Sequence, residues 1–531
     1  MNISTEEDDG PIEYKLQLVD IDKKRFQHLV TQLNYRLNEG GGEALYEIGL
    51  ADDGTPQGIM EDDMISSEAT LKCMAEELDA EVTYLRTREV EQDRFVSEFL
   101  IRRLCFDPLH NNEIRITTLG QVDAGKTSLI GGLTRNTLDD GRGKTRSFVL
   151  GMKHEIESGR TSSISHEYLG FDSKGGLVNR NYPHIYSDKE ICERSNKIIN
   201  FIDLAGHLKY LKTSVFGMCG SAPDYCILIV GSNMGIIGTT KEHFILSLSL
   251  KVPIFVVVTK IDICPENKKK ETLEELKRLL KSPGSRKIPF MVRNYDDVVV
   301  CARNFTTDRL CPIFCLSNVT GYGKENLISF LNLIPMRIDW TLKEVLPPRF
   351  DIDQVNTVHG IGTVVSGTLM KGIVKTGDKL FLGPDNFGKF ELISCRSIHS
   401  KRLPIKKAYA GQTASINIPK IRKEQIRKGM VLISPQTDID QHVCLEFEGE
   451  LLVLYHHTTI QVGYEAVVNC GIVRQTVKII KLDSNVIRTG DKAIVTFKFK
   501  IHPEFLTLGS KLIFREGRTR GVGIITKIIP L

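Results

Sequence analysis

The sequence predicts a small α/β module, then a doubly wound α/β domain, then two antiparallel β-barrels. Three observations carry that prediction. Residues 113–316 alternate short, nearly continuous apolar runs with helix-period segments, as parallel strands covered on both faces require. After LPPRF (346–350) the helical period stops, and short strands follow one another between glycine-containing turns. The first 110 residues stand apart by charge, with 25 Asp and Glu against 11 Lys and Arg.

Taken in order, IEYKLQLVD (12–20) alternates like a strand and FQHLVTQLNYRL (26–37) repeats apolar residues at helical spacing. EALYEIGLADDG reads as strand and turn. ATLKCMAEELDAEVTYLR reads as helix then strand, with a charged stretch near 87–95 ending the module. IRITTLG, KIINFIDL, YCILIVG, PIFVVVTK and PIFCLS are the strands of the doubly wound domain, and KEHFILSLSL, ETLEELKRLLK and KENLISFLNLI are its helices. GIGTVVSGTLMKG and VKTGDKLFLG open the barrel region, and SPQTD (434–438) is its internal seam. The expected domains are 1–111, 112–345, 346–436 and 437–531, with residues 1–10 polar and disordered.

The 531 residues exceed what one core serves. The net charge of +4 divides into −14 over residues 1–110 and +18 over the rest, from 59 basic and 41 acidic side chains. A basic body suits a polyanion such as RNA, and a merely solvated basic surface is the alternative. The 12 cysteines form no CxxC pair, which suits a reducing compartment and a cytoplasmic protein. The start MNISTEEDDG lacks the apolar core of a signal peptide, and no uninterrupted apolar run is long enough for a membrane span.

IRITTLG leads into GQVDAGKTSLIGGL, where Gly120-x4-Gly125-Lys126-Thr127 fits a phosphate-binding loop between strand and helix. Glycines let backbone N–H groups turn around phosphates, and the helix N-terminus adds a favourable dipole. Gly120, Gln121, Val122, Asp123, Ala124, Gly125, Lys126, Thr127 and Ser128 are therefore nucleotide-binding candidates. Lys126 is placed for the β- and γ-phosphates and Thr127 for Mg²⁺. Asp203-x-x-Gly206 ends the next strand, with Asp203 a magnesium residue and the Gly206 amide a γ-phosphate donor. Thr259-Lys260-Ile261-Asp262 ends another. Asp262 can accept from the N1–H and 2-amino group of guanine, donors that adenine lacks, so the nucleotide is GTP. Ser317, Asn318 and Val319 would close over the base. Each string alone is common; four in order, each at the carboxyl end of a strand, describe an α/β P-loop GTPase domain that hydrolyses GTP to GDP and phosphate.

GQVDAGKTSL, DLAGH, TKID and SNV together resemble translational GTPases of the elongation factor Tu and elongation factor 1-alpha type. GIGTVVSGTLMKGIVKTGDKLFLG with AGQTASINI resembles that family's second domain, and RTGDKAIVTFKFKIHPEFL with LIFREGRTRGVGIITKI its third. HEIESGRTSSIS, SVFGMCG and the acidic leader are most similar to the branch of GTP-binding proteins 1 and 2. The resemblance implies that His207 orients the attacking water, that Thr161 caps Mg²⁺ and senses the γ-phosphate, and that Asp123 helps order a monovalent cation. It departs at Gln121 and Ala124, where the family carries histidines. It departs again at Thr259, where the family has Asn, and at Arg160, where an apolar gate residue would face Val122.

The same resemblance implies a ribosome partner, and a cargo that is tRNA or a tRNA-mimicking protein. mRNA-decay factors are further candidate partners, and the protein is expected to be a monomer without membrane contact. Arg515, Glu516, Gly517 and Arg518 match a tRNA-contacting motif of the third domain with one glycine fewer. Their alternative is ordinary barrel-surface charge. Three functions stay open: a ribosome-associated GTPase binding aminoacyl-tRNA or rescuing stalled ribosomes, a GTPase carrying a release-factor-like protein, and a GTP-driven regulatory subunit of a metabolic enzyme.

Overall fold

The computed structural model describes residues 10–104, 112–179, 185–517 and 519–531, apart from the side chain of Leu208. The disorder expected for the polar start falls on residues outside that description, except for Gly10. The chain parts into two compact units. The first is Met1–Gly206, Asp224–Phe244 and Pro253–Arg337; the second is His207–Pro223, Ile245–Val252 and Ile338–Leu531.

The first unit opens with a four-stranded sheet in the order Ile12–Lys15, Glu43–Ile48, Arg94–Arg103, Ala80–Glu91. Alternation decides which side of the sheet each residue serves. Ala44, Tyr46 and Ile48, with Phe99 and Ile101, pack under the helices Lys23–Glu39 and Glu61–Glu76 against Leu33, Leu37, Leu71 and Met74. Asp22 caps the first helix, its carboxylate accepting from Arg25 N at 2.7 Å. Residues of the opposite parity meet the nucleotide-binding domain instead. Leu85 and Leu100 pack with Val299 of the helix Tyr295–Asn304. Glu43 Oε1 accepts from Arg102 Nε at 2.7 Å, and Glu43 Oε2 accepts from Lys197 Nζ at 2.9 Å. Lys197 Nζ also donates to the carbonyls of Asn332 (2.7 Å) and Ile334 (2.6 Å).

Two expectations are corrected here. The strand expected over 12–20 covers only Ile12–Lys15. The charged stretch near 87–95 does not end the module; it is the tip of a long hairpin of Ala80–Glu91 and Arg94–Arg103. Its charges suit a sheet because the inward ones are paired, Arg86 with Glu98 at 2.7 Å and with Asp296 at 3.3 Å.

The second sheet of this unit has seven strands in the order Ile288–Met291, Leu310–Cys315, Ile254–Thr259, Tyr225–Gly231, Asn112–Gly120, Lys197–Asp203, Ser165–Phe171. All pairs are parallel except the last, where the edge strand runs antiparallel to Lys197–Asp203. The central strand Asn112–Gly120 is flanked by strands reached in opposite directions, so the crevice at its carboxyl end is the topological switch point where ligands bind. Phe255, Phe305, Phe314 and Phe330 pack together in the core of this domain, mostly edge to face, with ring centroids 5.1–6.3 Å apart.

In the second unit, an eight-stranded antiparallel sheet has the order Glu391–Ser394, Lys379–Gly383, Val431–Ile433, Arg349–Val358, Gly362–Lys371, Thr413–Ile418, Ser397–Ser400, Leu403–Ile405. Six strands from Val443–Tyr455 to Thr519–Pro530 close into a barrel, because Val443–Tyr455 pairs with both Lys492–Phe499 and Thr519–Pro530. Full closure leaves those six strands without a free edge. Among the described residues no helix is long and apolar enough to cross a membrane.

Candidate nucleotide site

The loop after Asn112–Gly120 turns through residues with positive φ. Gly120 is at +142°, Asp123 at +59° and Gly125 at +85°, and Gly125 then caps the helix Lys126–Thr134. A Cβ on Gly120 would lie 2.2 Å from the Ile229 carbonyl, so only glycine fits there. The Lys126 ammonium folds back on the loop and donates to Gln121 O at 2.8 Å. Burial pushes its pKa down from the ordinary lysine range, against the pull of Asp203 and Asp123. Gly206 lies against this lysine: a Cβ there would sit 2.3 Å from Lys126 Nζ and 2.8 Å from Gly120 O. Ser128 follows on the same helix, and its carbonyl accepts from the Thr145 hydroxyl at 3.0 Å.

Three oxygens named from the sequence converge beside Lys126. Thr127 Oγ1 donates to Asp203 Oδ2 at 2.7 Å and lies 2.7 Å from Thr161 Oγ1, which also reaches Asp203 Oδ2 at 3.2 Å. Thr118 secures the other carboxylate oxygen at 2.8 Å. Burial pushes the Asp203 carboxyl up, against Lys126 and the hydroxyl donors. One carboxylate and two hydroxyls form a hard, all-oxygen set that suits Mg²⁺, which keeps waters and phosphate oxygens as its other ligands. It contains no cluster of three His, Cys, Asp or Glu, and none occurs among the described residues.

Thr259 and Asn318, two of the residues expected on the guanine side, adjoin the same loop. Thr259 Oγ1 donates to Ala124 O at 2.6 Å. The Thr259 hydroxyl thus fastens the end of its strand to the phosphate loop. A Cβ on Gly125 would lie 3.5 Å from Asn318 Nδ2 and 3.8 Å from Thr259 Oγ1, so Asn318 stands at the same turn. Ser317 Oγ accepts from Val319 N at 3.2 Å and Thr320 N at 3.1 Å, shaping that loop, and Asp139 N donates to Asn318 O at 2.9 Å. Lys260 has φ +60°, and its carbonyl accepts from Ser232 Oγ at 2.9 Å. Asp262 is exposed. Val122 is half-buried, and Arg160 and Asp123 are exposed.

His207 is exposed; its Nδ1 accepts from Lys209 N at 3.0 Å, and its ring lies 6.2 Å from that of Tyr210. Arg515 stands directly across the last hairpin from Arg520, Glu516 and Gly517 are exposed at its tip, and Arg518 lies outside the described residues.

Sequence reasoning missed four groups at the nucleotide site. His243 Nδ1 accepts from Gly120 N at 3.2 Å, Thr240 Oγ1 donates to the buried Gln121 Oε1 at 3.3 Å, Thr118 holds Asp203, and Glu155 holds the loop beyond Thr161. Single residues inside helices or strands carry no spacing signal, so nothing in the sequence singled them out.

A family model described as the elongation factor Tu GTP binding domain matches residues 111–336, and one for elongation factor Tu domain 2 matches 362–433. GTP-binding protein 1 of Xenopus laevis is 50% identical over 98% of this chain and 79% of its own length. GTP-binding protein 2 of Homo sapiens is 44% identical over 98% and 88%. Among solved structures, bacterial selenocysteine-specific elongation factor EF-Sec matches with a TM-score of 0.56 at 24% identity, covering 78% of this chain; the chain spans 58% of that factor. With this cradle, and with identity of that order along nearly its whole length, the chain belongs to the elongation factor Tu-type translational GTPases, in the branch of GTP-binding proteins 1 and 2.

Proposed function

We propose that this chain is a GTP-driven switch that acts on the ribosome in the cytoplasm, binding aminoacyl-tRNA or clearing stalled ribosomes. The observation that carries the reading is an elongation factor Tu GTP domain and that factor's domain 2 in one chain, over residues 111–336 and 362–433. The basic balance of residues 111–531 supports a polyanion partner. We propose the domain limits 1–111, 112–345, 346–436 and 437–531, with the closing barrel and its Arg515–Gly517 tip as the RNA-facing part.

In this reading the backbone of residues 120–125 wraps the phosphates and Lys126 turns from Gln121 O to the β- and γ-phosphate oxygens. Bound Mg²⁺ supplies neutralisation of the charge on those oxygens. Thr127, Thr161 and Asp203 hold it, Gly206 N donates to the γ-phosphate, and Asp262 selects guanine while Asn318 borders the base. His207 orients the attacking water, a positioning task suited to phosphoryl transfer, where alignment and charge matter more than covalent help.

A filter-binding measurement tests the cargo. Protein locked with a non-hydrolysable GTP analogue should retain charged tRNA in preference to uncharged tRNA. No preference, together with capture of a release-factor-like protein, would overturn the tRNA reading.

A further inference from the structure

The segment before Thr161 is built around one buried carboxylate. Glu155, on the short helix Lys153–Ser158, is 1% exposed. Its Oε1 accepts from Ser162 N at 2.7 Å and from Ser162 Oγ, Ser163 N and Ser163 Oγ at 2.8 Å each. His154 Nε2 lies 2.8 Å from the same Ser162 hydroxyl. Gly159 ends the helix at φ +65° and turns the chain back, so Ser162 and Ser163 reach the carboxylate they follow. Burial alone would raise the Glu155 pKa, but the four donors outweigh it and hold the group down to about 2, so it accepts as an anion.

Thr161 precedes those two serines, and its hydroxyl lies with Thr127 and Asp203. The loop is therefore pinned at adjoining residues to two independent supports. One is the oxygen cluster at the phosphates and the other is Glu155. We infer that Glu155 is a positioning residue that pre-sets the loop 159–163 and so determines how strongly this GTPase prefers the triphosphate to the diphosphate. The inference rests on Thr161 reading the γ-phosphate. Glu155 touches neither nucleotide nor metal residue; it lowers the ordering cost of the state in which Thr161 is engaged. A diphosphate offers no γ-phosphate to that state, so its affinity is indifferent to the carboxylate.

The test uses the full chain with Mg²⁺, and compares dissociation constants for a non-hydrolysable GTP analogue and for GDP. Thr161→Ala should lower the analogue-to-GDP affinity ratio. Glu155→Ala should lower it about tenfold or more, the factor expected from losing one charge-assisted hydrogen bond, with GDP affinity within about twofold. Glu155→Gln, whose neutral oxygen accepts more weakly, should fall between. Ser162→Ala with Ser163→Ala keeps the carboxylate and its backbone donors and should give a smaller loss, so the test survives should Glu155→Ala fail to fold. Trypsin cleavage after the exposed Arg160 should be suppressed by the analogue in wild type, less so in Glu155→Gln and least in Glu155→Ala. A ratio that drops in Thr161→Ala but not in either Glu155 variant overturns the inference and leaves the reading of Thr161 standing. An unchanged ratio in Thr161→Ala overturns that reading and the inference with it.

Discussion

Thr259 Oγ1 donates a 2.6 Å hydrogen bond to the carbonyl of Ala124, joining the end of the strand Ile254–Thr259 to the loop 120–125. The family pattern has an asparagine at this position, and the shorter hydroxyl still reaches the loop because Thr259 is fully buried against it. Thr259→Val keeps the shape but leaves the Ala124 carbonyl without this donor. Nucleotide affinity should fall by about 1–3 kcal/mol, for GTP and GDP alike, and nucleotide dissociation rates will show it. A selective loss of GTP would contradict a shared tether.

The magnesium assignment makes a different demand. Chelating Mg²⁺ should weaken GTP binding to the wild-type chain, and Thr127→Ala should raise the Mg²⁺ concentration required by roughly 10–100-fold. At the magnesium concentration that suffices for the wild type, chelation should have little further effect on that variant, because its site is already largely empty there. Titration calorimetry over a magnesium series reads both.

The role proposed for His207 separates binding from turnover. His207→Ala should leave GTP affinity nearly intact while ribosome-stimulated hydrolysis falls by on the order of 10² or more. Single-turnover phosphate release with and without ribosomes decides it; unchanged stimulated turnover would remove His207 from the mechanism. Lys126→Ala should instead lose nucleotide binding itself.

The amino-terminal module predicts a pH dependence. Glu47 and Glu98 face each other on adjacent strands, and both are fully buried. Burial, and then the Glu98 charge, push the Glu47 carboxyl up to about 7, although Arg303 lies 2.5 Å away and Arg88 and Arg86 also pull it down. The folded chain therefore holds a proton that the unfolded chain releases in the ordinary carboxylate range. Stability conferred by that proton is full at low pH, falls as pH rises through that window, and is lost above about 7. Glu47→Gln removes the titration. Between pH 5 and 8 the wild type should lose on the order of 1–3 kcal/mol relative to this variant in urea denaturation.

Most of the candidate nucleotide site was legible because the chemistry proposed for it demands particular residues at particular spacings. Gly120 and Gly125 are required by positive φ, Gly120 also by close backbone approach, and Asp203 and Thr259 end strands that read as apolar runs. What escaped lies in residues whose role exists only after folding. Glu155 is one glutamate in a polar segment, and its hold on Ser162 and Ser163 depends on the left-handed turn at Gly159. The edge strand Ser165–Phe171 is short and half polar, so it lacked the apolar run that marked its neighbours. The hairpin of 80–103 looked like a charged boundary because ion pairing across a sheet leaves no trace in local composition.

The salt link between Glu43 and Lys197 sets a lower limit on what can be cut away. Lys197 begins the strand that ends at Asp203, so the module grips one end of a rod whose other end carries the carboxylate proposed to hold magnesium. Seven extended residues span roughly 20 Å, a short lever. A fragment started at residue 112 would strip the carboxylate from a buried lysine and uncover the apolar faces of Val299 and Leu333. Such a fragment is not the enzyme minus an ornament; it is a GTPase domain with one wall missing.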